Sequence, residues 1–382
     1  MTGQVDPLTA AESLSTLVRE AAEESEQARR LNPAAVDALR SAGLFHLSVP
    51  RSYGGLEASP VDTCRVIEAI SAADGSAGWC LMIAAQQAAF SGFMEPATSE
   101  AVWENGGIVA GVARPIGKAR RVAGGLQVEG RWPFASGSSH ATTFAGECLL
   151  YDGDQPVRDD SGNTPSYMAF VPREAVTVHD TWDTTGLRGT ASHDFSVAGA
   201  IVQESHFMPM IPPPTHPWAL FRSLALIFTT HGAQALGVAR ASLETTIDMA
   251  RTKIGWGTDR PMSENVRLQG IVAEAAVTYA SARDHLYAAT TNLWTTLERG
   301  EEPGALNGRV RLATSHAAAA SVRTVDLLHD AMATSSIFRK SPLERQFRDI
   351  HTAAAHVMVG PLTYEAAGRV ELGLPAGMPF FE

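Results

Sequence analysis

Cysteine is scarce in this chain: three residues in 382 (Cys64, Cys80 and Cys148), odd in number and without CxxC spacing. A disulfide framework and a thiolate zinc site are therefore excluded as organising features. Basic charge is also short, with 30 Lys and Arg against 41 Asp and Glu and a formal net charge of -11. That removes the electrostatic footprint of a nucleic-acid or anionic-membrane binder. No apolar run reaches the ~18–20 residues that span a bilayer. Residues 1–10 hold neither a basic patch nor an apolar core, so no secretory signal is expected and the chain reads as cytoplasmic. Familiar chemical signatures are missing too: no GxGxxG after a strand, no GxxxxGKS/T, no HExxH and no GxSxG. His351 and His356 lie five apart, which turns them about 140° from each other on a helix, so no metal site is expected. Any active site must be assembled from distant segments around a bound cofactor.

What is present describes a globular protein, with 45% hydrophobic and 19% charged residues. The first hundred residues read as helices. Residues 11–31 place Leu14, Leu17, Val18 and Ala21 on one stripe. Asn32-Pro33 and Ser59-Pro60 each combine an N-cap with proline at the first helical position, and Asp74-Gly75-Ser76 breaks the helix before an apolar segment over 77–93. From about residue 106 the pattern becomes short β-branched and aromatic runs, with strands predicted over 108–113, 126–134, 142–151, 167–171 and 195–202. Strands in series without intervening helices indicate a mostly antiparallel barrel or sandwich. Five prolines within residues 209–217 mark a linker. Four long helices over 218–253, 263–299, 305–336 and 343–372 then form a bundle. The expected class is α+β, mainly α, divided as 1–105, 106–210 and 211–382.

Three stretches carry chemistry. In residues 130–140 a strand ends in Ser136, Ser138 and Ser139, a hydroxyl cluster that is either a turn or a flavin-edge site. Residues 182–194 hold glycines that permit close backbone approach, with Thr190 and Ser192 two apart on one face; the plain alternative is a hairpin connection. Residues 332–342 join two bundle helices through a small, basic corner that suits a phosphate, although Arg339, Arg345 and Arg348 equally suit surface ion pairs.

In this order the segments resemble the acyl-CoA dehydrogenase fold. More narrowly they resemble its oxygenase branch, the group D two-component flavin-dependent monooxygenases. The likeness spans essentially the whole chain and rests on Tyr53-Gly54-Gly55, the turn from Asp74 to Trp79, Phe134-Ala135-Ser136-Gly137, residues 186–192, and Arg348-Asp349-Ile350-His351-Thr352 with His356. It implies an N-terminal helical domain, a central β-barrel, a C-terminal four-helix bundle and a homotetramer. It also implies a reduced flavin, FAD or FMN, received from a separate NAD(P)H-dependent reductase, with O2 as co-substrate. By the same resemblance Ser136 and Ser138 meet the flavin N5/O4 edge, Trp132 packs near the ring, and Thr190 and Ser192 lie beside it. Arg251, Thr334, Ser335, Ser336 and Arg339 bind the phosphates, partly across a subunit interface. Trp79, Gln86 and Phe90 line the substrate pocket.

One dehydrogenase branch of this fold places its glutamate base in a Tyr-Glu-Gly motif soon after an Arg-Asp pair. Here His356-Val357-Met358 stands there, and Glu365 lies further on in a surface-like position. The resemblance assigns His356 and Ser136 to oxygen chemistry: a dry pocket and a neutral imidazole that shelter a flavin C4a-hydroperoxide. A plain core histidine is the alternative. Phenol-hydroxylating relatives carry a histidine on the buried helix where this chain has Gln86 or Gln87, which leaves His140 as a substitute base and room for an indole, thioether, amine or polycyclic substrate. The expected function is oxygenation of an apolar aromatic or polycyclic molecule. The alternatives are an acyl-CoA dehydrogenase-like enzyme and a catalytically silent scaffold.

Overall fold

The structure, a computed structural model, describes residues 6–210, 212–255, 257–378 and 381. The reading of residues 1–10 and of Ile211 in the linker falls partly outside these. Helices α1 (Pro7–Ala28), α2 (Pro33–Ser41), α3 (Pro60–Ala73), α4 (Gly75–Ala88) and α5 (Pro96–Trp103) come first. Asn32 caps α2 and Ser59 caps α3 through their side-chain oxygens, each followed by a proline whose missing N–H has no partner to lose there. Asp74 ends α3 and also starts α4, accepting the Ala77 N–H at 2.9 Å, so α4 begins at Gly75 and not at 77. Within α4 only Ile83 and Gln86 escape full burial. It runs through the middle of the molecule, as its all-round apolar sequence requires.

The five expected strands are present, in longer form, as β1 (Val109–Val122), β2 (Gly125–Ala135), β3 (Thr143–Asp152), β5 (Ser166–Pro172) and β7 (His193–Val202). Three short ones join them: β4 (Gln155–Pro156), β6 (Thr177–His179) and β8 (Phe207–Pro209), too brief to carry a readable period. The path is β6-β7-β2-β1-β3-β5-β8, with β4 on β3; only β1 and β3 run parallel. The sheet is strongly rolled. Strands β3 and β7 stand three steps apart on this path, about 14 Å if flat, yet the rings of Phe144 and Phe195 sit 5.0 Å apart. They close on one core with Trp132.

The bundle departs from expectation twice. Residues 219–228 are short 3₁₀ turns, so α6 (Thr229–Thr252) starts later than 218. Helices α7 (Val266–Glu298) and α8 (Leu306–Met332) follow as expected. The fourth helix is broken into α9 (Pro342–Ala354) and α10 (Pro361–Glu371). Pro361 lacks an N–H and disfavours helical backbone at Gly360 before it, and His356 itself is extended (φ -69°, ψ 135°). His356 therefore sits in the break, not on an alanine-rich helix. Buried Glu68 of α3 fastens the N-terminal helices to the bundle, accepting hydrogen bonds from Tyr279, Arg283 and Tyr287 of α7. Among the described residues no helix is long and apolar enough to cross a membrane.

Candidate functional site

Free of helical geometry, the His356 ring turns inward from the break. Its Nδ1 accepts the Met358 N–H at 3.4 Å, and its face stacks on His231 of α6 with ring centroids 4.5 Å apart. Both imidazoles meet the indole of Trp79, near the start of α4, at 5.6 Å. The Trp79 Nε1–H donates to Ser136 Oγ, at the end of β2, at 3.0 Å. Ser136 is 2.7 Å from Ser192 Oγ, which is 2.7 Å from Thr190 Oγ1. Thr190 in turn donates to the Leu187 carbonyl at 2.9 Å. Helix α4, the sheet and the bundle thus converge on one cluster, buried except for the partly exposed His356.

The file of hydroxyls has a direction. Thr190 spends its proton on Leu187, so Ser192 must donate to Thr190 and Ser136 to Ser192. Ser136, at the open end, is left with acceptor capacity only. An acceptor there matches the N5–H of a reduced flavin and opposes the bare N5 of an oxidised one. Backbone strain marks the same place. Three of the seven non-glycine residues with positive φ among the described residues, Phe134 (67°), Leu187 (50°) and Ala191 (46°), border the file, a conformation that costs about 1–3 kcal/mol each and persists where surroundings over-determine it. Gly186 lets this loop lie directly on α9: a Cβ there would stand 2.1 Å from the Arg348 carbonyl. From behind, Asp349 Oδ1 accepts the Leu187 N–H at 2.6 Å. These residues fit a reduced flavin, and they are what would hold its ring edge.

The electrostatics keep both imidazoles neutral. Burial, aided by the Arg311 charge, pushes His356 down to about 4. His231 is driven well below its usual value by burial, then by His356 and Arg311. Asp349 moves the other way, up to about 7, through burial and then the nearby Asp74 carboxylate. No carboxylate among the described residues hydrogen-bonds into the Trp79–Ser136–His231–His356 cluster. Glu365 is exposed on α10, as expected, and Val357 is exposed as well.

The remaining expected residues divide. Ser138 belongs to the same wall, donating to the Ala191 carbonyl at 2.6 Å. Trp132 does not. It is fully buried in the sheet core, stacked on Phe195 at 4.9 Å and donating to the Glu147 carbonyl; the β2–β7 register shifts between Trp132 and Ala135, where Phe134 takes φ 67°, and the ring left exposed beside the serines is Phe134. Gln86 is tied to the start of α6, donating to Thr230 Oγ1 at 3.0 Å. Phe90 packs edge-on against Phe170. His140 packs on Phe45 and lies against Gly137, with no hydrogen bond to the Trp79–Ser136–His231–His356 cluster, and burial pushes it down to about 4. At the basic corner Arg251 is exposed and faces Asp248, Thr334 and Arg339 are exposed, and Ser335 bonds Lys253. Ser336 is buried and spends its hydroxyl on the His329 and Ala333 carbonyls, so it is not available to a phosphate. Sequence reasoning missed His231, Lys253 and Phe134. Only the first left a trace, as a polar residue on an otherwise small and apolar helix face.

The profile "Acyl-CoA dehydrogenase, N-terminal domain" matches residues 9–101 and "Acyl-CoA dehydrogenase, C-terminal domain" matches residues 229–361. An indole-3-acetate monooxygenase of Pseudomonas putida is 30% identical over 354 residues, 92% of this chain and 89% of that protein. The oxygenase component of an FADH2-dependent resorcinol hydroxylase from Rhizobium is 25% identical, over 94% and 90% of the two chains. Among solved structures, XiaF from Streptomyces in complex with FADH2 and glycerol superposes with a TM-score of 0.89 at 23% identity, covering 99% of this chain and 97% of that one.

Proposed function

The chain belongs to the acyl-CoA dehydrogenase family, as the oxygenase component of a flavin-dependent monooxygenase, and on that premise we propose that it places one oxygen atom on a mid-sized, largely apolar aromatic molecule. When bound, the reduced flavin supplies the electrons that activate dioxygen. In this reading Ser136 accepts from the flavin ring edge, while Ser138, Thr190 and Ser192 hold the loop that faces it. Trp79 connects Ser136 to the imidazole pair and shields it from water. His356, neutral across the physiological range, offers a hydrogen bond to the oxygen being transferred without supplying a charge. Residues 1–105, 106–210 and 211–382 act as three structural units, and the site lies where they meet. Arg251, Lys253, Ser335 and Arg339 serve the flavin phosphates, with Lys253 taking the place first given to Ser336.

The observation that carries this reading is a neutral His356 joined through Trp79 to an acceptor-only Ser136, in a cluster with no carboxylate base. A dehydrogenase acting on a thioester needs that base to take a proton as hydride leaves. A separate reductase is required, because the chain has no nicotinamide-binding motif. A homo-oligomer and a cytoplasmic location complete the proposal. The test mixes the protein with reduced FMN or FAD, oxygen and a set of indoles and phenols, and compares oxygen consumed with oxygenated product. Bleaching of the oxidised flavoprotein by an acyl-CoA, with no oxygenated product from any aromatic, would overturn it.

A further inference from the structure

Eleven buried side-chain polar atoms among the described residues lack a hydrogen-bond partner, and four of them belong to two neighbours, Arg311 and His231. Arg311, near the start of α8, has no solvent exposure. Its Nη2 donates to the Met358 carbonyl at 3.1 Å, and its guanidinium lies over the rings of Phe228 and Phe381 at 4.7 and 5.8 Å. Its Nε and Nη1 have no hydrogen-bond partner, and no carboxylate among the described residues pairs with it. One helical turn on, Ser315 Oγ is also unpartnered. The Met358 peptide joins this cation to the candidate site, its C=O held by Arg311 and its N–H by His356. His231, stacked on His356, has both ring nitrogens enclosed and unpartnered.

A buried cation without a counter-charge is among the costliest features a fold can retain, and aromatic faces compensate it only in part. Although burial lowers Arg311 to about 10, it is still cationic at neutral pH. A permanent charge held dry beside the reacting centre, with free donors, is what an anionic ligand group completes. We propose that Arg311, with His231 beside it, forms an anion subsite that receives the carboxylate of the substrate, so that the aromatic molecules oxygenated here are aromatic acids. This rests on the monooxygenase reading and narrows its substrate class. The subsite would also orient the ring, since a fixed carboxylate presents one edge to the Trp79–His356 side.

Paired probes test it: indole-3-acetate against 3-methylindole, phenylacetate against toluene, and benzoate against benzene. Binding to the flavin-free protein is followed by thermal shift, and turnover with reduced flavin is measured separately. At least one acid should bind the natural protein more tightly than its uncharged counterpart by roughly 10–100-fold. Arg311→Met should abolish that preference, leave the uncharged probe unchanged, and without ligand melt no lower than the natural protein, because it removes an uncompensated charge. Arg311→Lys should retain part of the preference. Equal binding of every acid and its counterpart by the natural protein, or a destabilised Arg311→Met that still prefers the acid, would overturn the subsite. Acid preference without oxygenated product would instead count against the monooxygenase reading alone.

Discussion

His356 and Ser136 both contact the Trp79 indole, and their duties can be separated by single substitutions. His356→Ala removes the neutral hydrogen-bond partner but nothing that bonds the ring edge, so flavin affinity should hold. Product yield per oxygen consumed should fall by about an order of magnitude or more, with hydrogen peroxide taking up the difference. Coupling equal to that of the natural protein would remove His356 from the chemistry. Thr190→Val acts on the hydroxyl file. Without the Thr190 acceptor, Ser192 can turn its proton toward Ser136 and free the Ser136 proton for a ligand. The ratio of oxidised to reduced flavin affinity should then rise roughly 5–10-fold, read by titrating each redox state anaerobically.

At the scale of elements, α3, α4, α6 and α9 approach more closely than ordinary side chains allow. A Cβ on Gly237 of α6 would stand 2.4 Å from the Glu68 carbonyl and 2.5 Å from Ser71 Cβ on α3. Neither can move without shifting α3, so Gly237→Ala should lower stability by about 1–3 kcal/mol in chemical denaturation. Asp349 holds α9 to the loop at Leu187 by accepting its N–H. Because burial and Asp74 raise its pKa to about 7 from an ordinary 3.8, the folded state binds a proton between these values that the unfolded state does not. Stability should therefore be lost as pH rises through about 7. Asp349→Asn keeps an acceptor for Leu187 and removes the charge. Its thermal midpoint should exceed that of the natural protein at pH 8 by roughly 3 °C or more, with the gap closing toward pH 5. A gap that widens on acidification would contradict the assignment.

For the whole molecule, the unpartnered apolar surface lies mainly on the bundle. Val266 and Val277 of α7 and Ile337 and Phe338 at the α8–α9 corner are between 57% and 80% exposed. A cavity of about 870 Å³ between α7 and α8 opens on the same helices, lined by Leu268, Ile271, Val322 and Leu327. This corner also carries Ser335 and Arg339, so the proposed assembly and the proposed phosphate site share it. Phe338→Glu should reduce the mass measured in solution by light scattering and weaken flavin binding at the same time. An unchanged assembly would separate the two.

Much of this was legible in the chain because it is local. Caps at Asn32 and Ser59, the β-branched runs, the long bundle helices and the lack of a carboxylate after Arg348-Asp349 follow from neighbouring residues and their chemistry. So did the choice of Ser136, Thr190, Ser192 and His356 as a set, through their resemblance to known oxygenases. What tertiary structure alone decided depends on contacts between residues far apart in sequence. A register shift at the end of β2 left Phe134 outside while Trp132 stayed in the core. The break before Pro361 released His356 from a helix face and stacked it on His231, 125 positions earlier by their numbers. Only the meeting of α8 with Phe228, the break at Met358 and Phe381 made Arg311 a buried cation without a counter-ion among the described residues. Local propensity specifies which elements form; the charge left unpaired when they pack is a property of the packing.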